Sequence, residues 1–513
     1  MSAKHMIWVV LFFSSTLQAQ FLEPASKTEN SPSRSDFHPL ALKENSVQPV
    51  MILDTPKNVR PRRYDRYGDL LDDDPLYNLK SDIPVPIYKV LIANVEVWAI
   101  DRYVFNYDYS RIGFNSWSNN IKRGWEWDND RFGINFFGHP YTGGGYFNAG
   151  RSTGYSFYEC IPFAAWGSLL WEYFGETTRP SYSDFINTTI NGTFGGEILY
   201  RLGSNVLDDQ TTGAERVFRE AAAAILSPSR FTSRLFQGKL FRVAPEEEYQ
   251  KEVLNTTMYG GAHLINKNNS FGTGSPNVII GLQFEYGNPF EERDRKPFDF
   301  FKLRGEMNFG VGRKVIDNVT GYGLLFGKNT GDEGSHFLFG GFQQYDYWDN
   351  NIFELGAFGI GAGLISKFDI SGSSNLYTTL HLAFVPLAGN SSIHGPDSSE
   401  VRDYNYGGGA ETELESILSF GTFAKLSVLA NYYWVHTYVG LPGNNFVGIL
   451  EPKLTVQLFK DVSIGLEHIV YYDDRYPRNA PDDSRPIQHF VRTEQKVFLQ
   501  VYFENSRRGG SFY

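Results

Sequence analysis

The sequence holds a single cysteine, Cys160. An internal disulfide is therefore excluded, and in its apolar surroundings the thiol reads as packing. Long hydrophobic runs are also missing. A spanning helix needs about 20 apolar residues, and the best candidate, Cys160 to Trp171, stops short at Glu172. Positive charge is scarce. The formal net charge is −11 with no basic patch, which excludes nucleic acid as a partner. Neither a nucleophile elbow nor a His-Glu-x-x-His pattern occurs. One candidate histidine, His139, with scattered carboxylates falls short of a metal's three or four ligands, so neither metal nor cofactor is expected.

Aromatic side chains make up 16% of the chain, and Tyr (31) and Phe (42) together outnumber Lys and Arg (47). That excess fits the aromatic girdles of a membrane barrel better than a soluble core. Length allows two domains plus tails. Residues 1–19 read as a signal peptide: Lys4 and His5, an apolar core from Met6 to Phe13, and a cleavage site at Leu17-Gln18-Ala19. Residues 20–80 are rich in Pro, Ser, Asn and charge, as at Arg60-Pro61-Arg62-Arg63 and Asp72-Asp73-Asp74, and read as a disordered leader. An exported chain without a spanning helix is either soluble or crosses the outer membrane as strands.

Residues 81–245 read as a helical domain. Apolar spacing from Ile87 to Phe105 favours a helix over a strand. Phe132 to Thr153, dense in Gly and aromatics, reads as a loop or irregular hairpin. Ser156 to Phe174 reads as a buried helix, and Ser183-Asp184 caps another that runs to about Val206. Gly192, Gly195 and Gly196 bare one side of it for close packing. Thr211 to Leu226 is a further helix, and Ser229 to Phe241 a short basic amphipathic stretch.

From about residue 250 the period becomes two. Val278, Ile280, Leu282 and Phe284 alternate with Ile279, Gly281 and Gln283. Phe301, Leu303, Met307 and Phe309 alternate with Lys302, Arg304, Glu306 and Asn308. About twelve such runs reach Tyr513, each at least as long as the ~9–11 residues of a tilted membrane strand. A soluble sandwich gives alternation too. Run length, terminal aromatics such as Tyr345-Asp346-Tyr347-Trp348, and charge on one face (Glu411, Glu413, Glu415) favour the membrane. The fold class expected is mainly β: a roughly 12-stranded antiparallel outer-membrane β-barrel at 250–513, preceded by a small α-helical domain.

Three functions follow from where the polar residues sit. A pore would line its lumen with Lys302, Arg304, Glu306, Glu411, Glu413 and Glu467 and pass a small polar solute. A structural or binding unit would pair its buried charges, Glu197 with Arg201 or Glu172 with Arg151, and plug, cap or brace the barrel. An envelope enzyme would use His139, oriented by Glu172 or Glu176, on a lipid or glycan, with Ser152, Ser156 or Ser168 as nucleophile. Glu172 and Glu176, four apart, belong on one helix face. Asp128, Asp130, Asn148, Arg151, Asp184, Glu197 and Arg201 complete the polar cluster.

The blocks WEWDNDRFGINFFGHPYTGGGYFNAGRSTGYSFYE, GSLLWEYFGE, PSYSDFINTTINGTFGGEILYR and GAERVFREAAAAILSPSRFTSR, in this order, resemble a bacterial family catalogued only as a domain of unknown function. The likeness covers about Ile87 to Arg242. It implies an exported Gram-negative protein with a β-rich C-terminal half, and no activity. Its motif positions fall on Trp127, Asp128, Asp130, His139, Pro140, Asn148, Arg151, Glu172, Glu176, Ser183, Asp184, Gly196, Glu197 and Arg201. The expectation is an outer-membrane barrel with an integral helical plug or cap, serving envelope architecture or solute passage. The alternative is an envelope hydrolase or lipid- or glycan-modifying enzyme. Outer-membrane lipid is the expected partner in either case.

Overall fold

In the computed structural model the described residues are 80–236, 238–240, 242–243, 252–266, 272–274, 276–310, 315–350, 352–391, 404–478 and 488–504. The expected signal peptide and all of the leader except Lys80 lie outside them.

Eight α-helices precede the strands among these residues: α1 Pro84–Ala99, α2 Phe114–Arg123, α3 His139–Arg151, α4 Phe157–Leu170, α5 Tyr182–Ile186, α6 Gly192–Val206, α7 Gly213–Leu226 and α8 Pro228–Phe236. Wide π-helical turns extend or join them at Ile100–Val104, Ile134–Gly138, Trp171–Gly175 and Asn187–Asn191.

Helix α3 occupies the stretch expected as a loop. Pro140 stands in its first turn, where a missing N–H costs nothing. Its glycines serve packing rather than turning: a Cβ on Gly143 would lie 1.8 Å from the Thr188 carbonyl oxygen, and one on Gly144 would lie 3.2 Å from Gly196 Cα. Bare backbone on both sides lets α3 and α6 approach closely. Gly192 and Gly196 face α3, whereas Gly195, expected on the same bare side, faces open space.

Twelve strands follow: β1 Leu254–Ile265, β2 Pro276–Tyr286, β3 Phe301–Phe309, β4 Ile316–Asp332, β5 Ser335–Asp349, β6 Glu354–Ser371, β7 Ser374–Ser391, β8 Asn405–Phe420, β9 Ala424–Val439, β10 Gly443–Phe459, β11 Val462–Pro477 and β12 Gln488–Glu504. Consecutive strands pair antiparallel, and β1 closes on β12 with Asn255 opposite Glu504. Closure satisfies every strand edge, as hydrocarbon surroundings require.

Ion pairs across the barrel fix which residues point inward. Lys302 Nζ reaches Glu415 on β8 at 2.6 Å, Arg304 grips both oxygens of Glu451 on β10 at 2.7 and 2.9 Å, and Lys496 reaches Glu306 at 2.6 Å. Glu411 is buried on the same inward face of β8 as Glu415. Glu413 faces His381 at 3.8 Å. Glu467 lines a mid-lumen cavity of about 30 Å³, room for a few waters at most. Apolar layers close the lumen on both sides of the charges. Toward the end where β1 begins lie Tyr322, Leu324, Leu338, Phe342 and Tyr377, with Phe300 from the β2–β3 connection. Toward the other end lie Trp348, Leu355, Val435, Val447 and Tyr471, with Ile352 and Phe353 from the β5–β6 connection.

Outward positions expose a belt that includes Leu426, Val428, Leu454, Leu466, Val497 and Leu499, with Tyr432, Trp434 and Tyr438 above it. That is the surface of a barrel built to meet lipid.

The described helices do not enter the lumen, a position that the expected plug or cap left open. They pack on outward-facing side chains. On β3, Lys302 and Arg304 point in, so Phe301 and Leu303 point out, and both join the helical core. On β5, Gln343, Tyr345 and Tyr347 share the face of exposed Phe339; Gln343 donates to the Ile190 carbonyl and Tyr345 to the Phe136 carbonyl. The Phe136 ring fills a slot between Gly356 on β6 and its cross-strand partner Gly389 on β7. A Cβ on either glycine would come within 2.3 Å of the ring. Full inward packing left no room inside, and the small outward residues opened a seat on the wall.

Candidate functional site

The predicted polar residues separate into two groups. In the first, Glu197 of α6 is fully buried between two arginines. Arg151 from α3 holds both its oxygens at 2.7 and 3.0 Å, and Arg201, one turn on, reaches Oε1 at 2.8 Å. Arg201 also donates to the Pro297 carbonyl beside the barrel wall. Glu197–Arg201 pairs as expected. Arg151 takes Glu197 rather than Glu172, because α3 lies directly against α6. Asn148 is buried in α3.

The second group gathers where the helices meet β8. Glu172 lies in the π turn that ends α4 and accepts the Ser181 N–H at 2.7 Å. Glu176 follows the turn in extended conformation, so the pair do not share a helix face. The chain reversal between them brings them together instead. Asn120 of α2 ties that reversal by donating to the main-chain oxygens of Glu172 (3.3 Å) and Glu176 (2.9 Å). Asp184, in α5, is positioned by the Ser181 side chain, which accepts its N–H. One carboxylate oxygen from each of Glu172, Glu176 and Asp184 lies within 4.8 Å of the others. Asp128 enters on a segment held by main-chain bonds from Glu126 to Pro180 and Tyr182. Its Oδ1 accepts from Ser183, Asn135 and the Tyr406 hydroxyl of β8. Tyr404 donates to the Asp130 carbonyl, so both aspartates are anchored to the barrel.

His139 is the first residue of α3. Its Nε2 stands 3.5 Å from Asp184 and its Nδ1 3.3 Å from the Thr188 hydroxyl. Neither Glu172 nor Glu176 orients it, which corrects the expected pairing. Burial pushes His139 down to about 4, so at neutral pH the ring is uncharged and cannot offset the acids. Burial first and the neighbouring carboxylates second push Glu172 and Asp184 up. Burial likewise raises Glu176 to about 8 and Asp130 to about 6. The expected nucleophiles are elsewhere. The Ser152 hydroxyl accepts from Lys89, the Ser156 hydroxyl caps α4 with Glu159, and Ser168 is buried without a hydrogen-bond partner.

Sequence reasoning missed Thr188, Asn120, Asn135, Tyr404 and Tyr406. The two tyrosines stand two apart at the start of a strand, the spacing of one sheet face, but only the docked helices reveal what they meet.

No curated protein matches the chain in sequence. Among solved structures, the outer membrane phospholipase A of Escherichia coli is 14% identical with a TM-score of 0.25, over 49% of this chain and 93% of that one. The outer membrane channel DcaP of Acinetobacter baumannii is 8% identical at 0.24, over 49% and 97%. The toluene transporter TodX of Pseudomonas putida is 7% identical at 0.21, over 49% and 89%. Such scores say nothing about activity. Residues 124–229, which hold every carboxylate of both groups together with His139 and Thr188, match the family described as Domain of unknown function (DUF3943).

Proposed function

We propose that this protein is a closed outer-membrane β-barrel that anchors the helical unit to the membrane, serving envelope architecture rather than solute passage. In this reading residues 81–245 form the functional unit and 250–513 the anchor, in contact with outer-membrane lipid. The carrying observation is the lumen, filled by apolar side chains at both levels and by ion pairs between them. Tight packing of that kind leaves no path for a hydrated solute. Fractionation with a heat-modifiability gel tests the location, and planar bilayers test the lumen. Full-length protein is expected in the outer membrane, migrating faster unheated than boiled, and without conductance. Stable unitary currents from it would restore the pore.

A second reading keeps the envelope enzyme on one observation: His139 stands between the Thr188 hydroxyl and the Asp184 carboxylate, the order of a nucleophile, base and orienting acid. Its test is turnover of lipid or glycan substrates by purified protein. Activity lost in Thr188→Val with the heat shift intact supports it, and equal activity in wild type and variant removes it.

A further inference from the structure

We infer that Glu172, Glu176 and Asp184 bind a divalent, oxygen-seeking cation of the calcium class where the helical unit meets the barrel wall. This stands independently of whether the barrel is an anchor or a pore.

Glu172 is 1% exposed and Asp184 4%. Among the described residues no lysine or arginine forms an ion pair with either of them or with Glu176. The Arg151–Glu197–Arg201 group shows how this same unit treats a buried carboxylate elsewhere, with two guanidinium partners. Anions withdrawn from water without a counter-charge are costly, and several side by side more so.

Among the described residues Asp184 Oδ1 has no hydrogen-bond partner although the residue is buried, and its carboxylate is one of the three that converge. Two neighbouring oxygens among the described residues also lack partners: Asn120 Oδ1, on the side chain that donates to the Glu172 and Glu176 main-chain oxygens, and Asp128 Oδ2, on the side chain that accepts from Ser183 next to Asp184. Buried polar atoms are nearly always satisfied, so these orphan oxygens call for an electron-pair acceptor, a cation or a shared proton.

Geometry names its class. Calcium takes oxygen ligands at about 2.3–2.6 Å, so opposite ligands stand about 5 Å apart. The three carboxylate oxygens fit within that span at 4.8 Å. Carboxylates without sulfur favour hard cations over zinc or copper. The site joins three pieces of chain: the end of α4, the start of α5 and, through Asp128 and Tyr406, the strand β8. A cation there would lock the helical unit to the wall.

The test uses folded full-length protein in detergent, stripped with chelator, and terbium as the probe. The Trp171 ring lies against Gly175, the neighbour of Glu176 in the chain, close enough to sensitise terbium emission. Saturable emission displaced by calcium is expected, weakened at least tenfold in Asp184→Asn and in Glu172→Gln, and unchanged in Glu215→Gln on exposed α7. Melting provides a second readout. Calcium should raise the melting temperature of wild type and leave Asp184→Asn unmoved, while the variant without calcium should melt no lower than stripped wild type. Absent emission, emission indifferent to both substitutions, or no calcium shift in wild-type melting would each overturn the site and leave shared protons as the way these acids are neutralised.

Discussion

At the scale of single residues, two buried charges behave in opposite ways. Glu197 is held by two arginines, each fixed by a further main-chain oxygen. Removing the acid strands both cations in a dry interior, so Glu197→Ala should cost about 3–5 kcal/mol, read as a lower denaturation midpoint of the helical unit with the barrel's heat shift retained. Lys89 has no acid. Its ammonium is met by the Ser152 and Ser233 hydroxyls and the Ser229 carbonyl, and burial lowers it from 10.5 to about 7. Below about pH 7 folded and unfolded chains both hold the proton. Between there and 10.5 only the unfolded chain does, so stability rises with pH across that window. Lys89→Met should flatten the rise, measured as melting temperature against pH.

At the scale of elements, glycine decides how the helices meet the wall. Phe136 lies in the slot between Gly356 and Gly389, and neither position can accept a Cβ without moving the ring. Gly356→Ala or Gly389→Ala should expel Phe136, with a loss approaching the ~3–5 kcal/mol of Phe136→Ala. Limited proteolysis reads it: cleavage should appear in residues 80–240 while the barrel keeps its heat shift. Gly145 is the contrast. Nothing lies within 4 Å of its Cβ position, so Gly145→Ala should gain up to about 1 kcal/mol from helix propensity.

These glycines also explain what was legible beforehand. The twelve strands could be read because lumen and lipid impose period two on every one of them, and Lys302, Arg304 and Glu306 were placed inward by that rule alone. Helix α3 was not legible. Gly143 and Gly144 look like turn residues unless α6 is known to supply Gly192 and Gly196 opposite them. The site was half legible: its residue types were visible, its pairings were not. Glu172 and Glu176 are four apart, but a π turn ends the helix between them and removes the shared face. The partner of His139 is Asp184, distant in sequence and brought near only by the fold. The seat on the outer wall left no local mark, because outward Phe301 or Tyr345 looks the same facing lipid or facing helices.

At the scale of the whole molecule, that seat has a consequence for the membrane. The helical unit covers outward positions on β3 and β5, strands whose other outward residues, Met307, Phe309 and Phe339, stay exposed in the belt. The helical unit and the exposed apolar belt therefore lie on the same wall. The free side of helix α1 exposes Val85, Tyr88, Leu91, Ile92 and Val95, with Ile83 just before it, interrupted by Glu96, while Lys89 turns inward. A helix apolar on most of its circumference suits a non-aqueous neighbour, although among the described residues no helix is long and apolar enough to cross a membrane. Because Cys160 is the sole cysteine and is buried, Val95→Cys and Leu466→Cys can each carry one spin label in vesicles. Both labels should be reached by dissolved oxygen in preference to a water-soluble nickel chelate, Leu466 as the belt standard and Val95 beside it. A Val95 label reached mainly by the chelate would put α1 in water, and the helical unit would then overhang the membrane from the rim rather than lean into it.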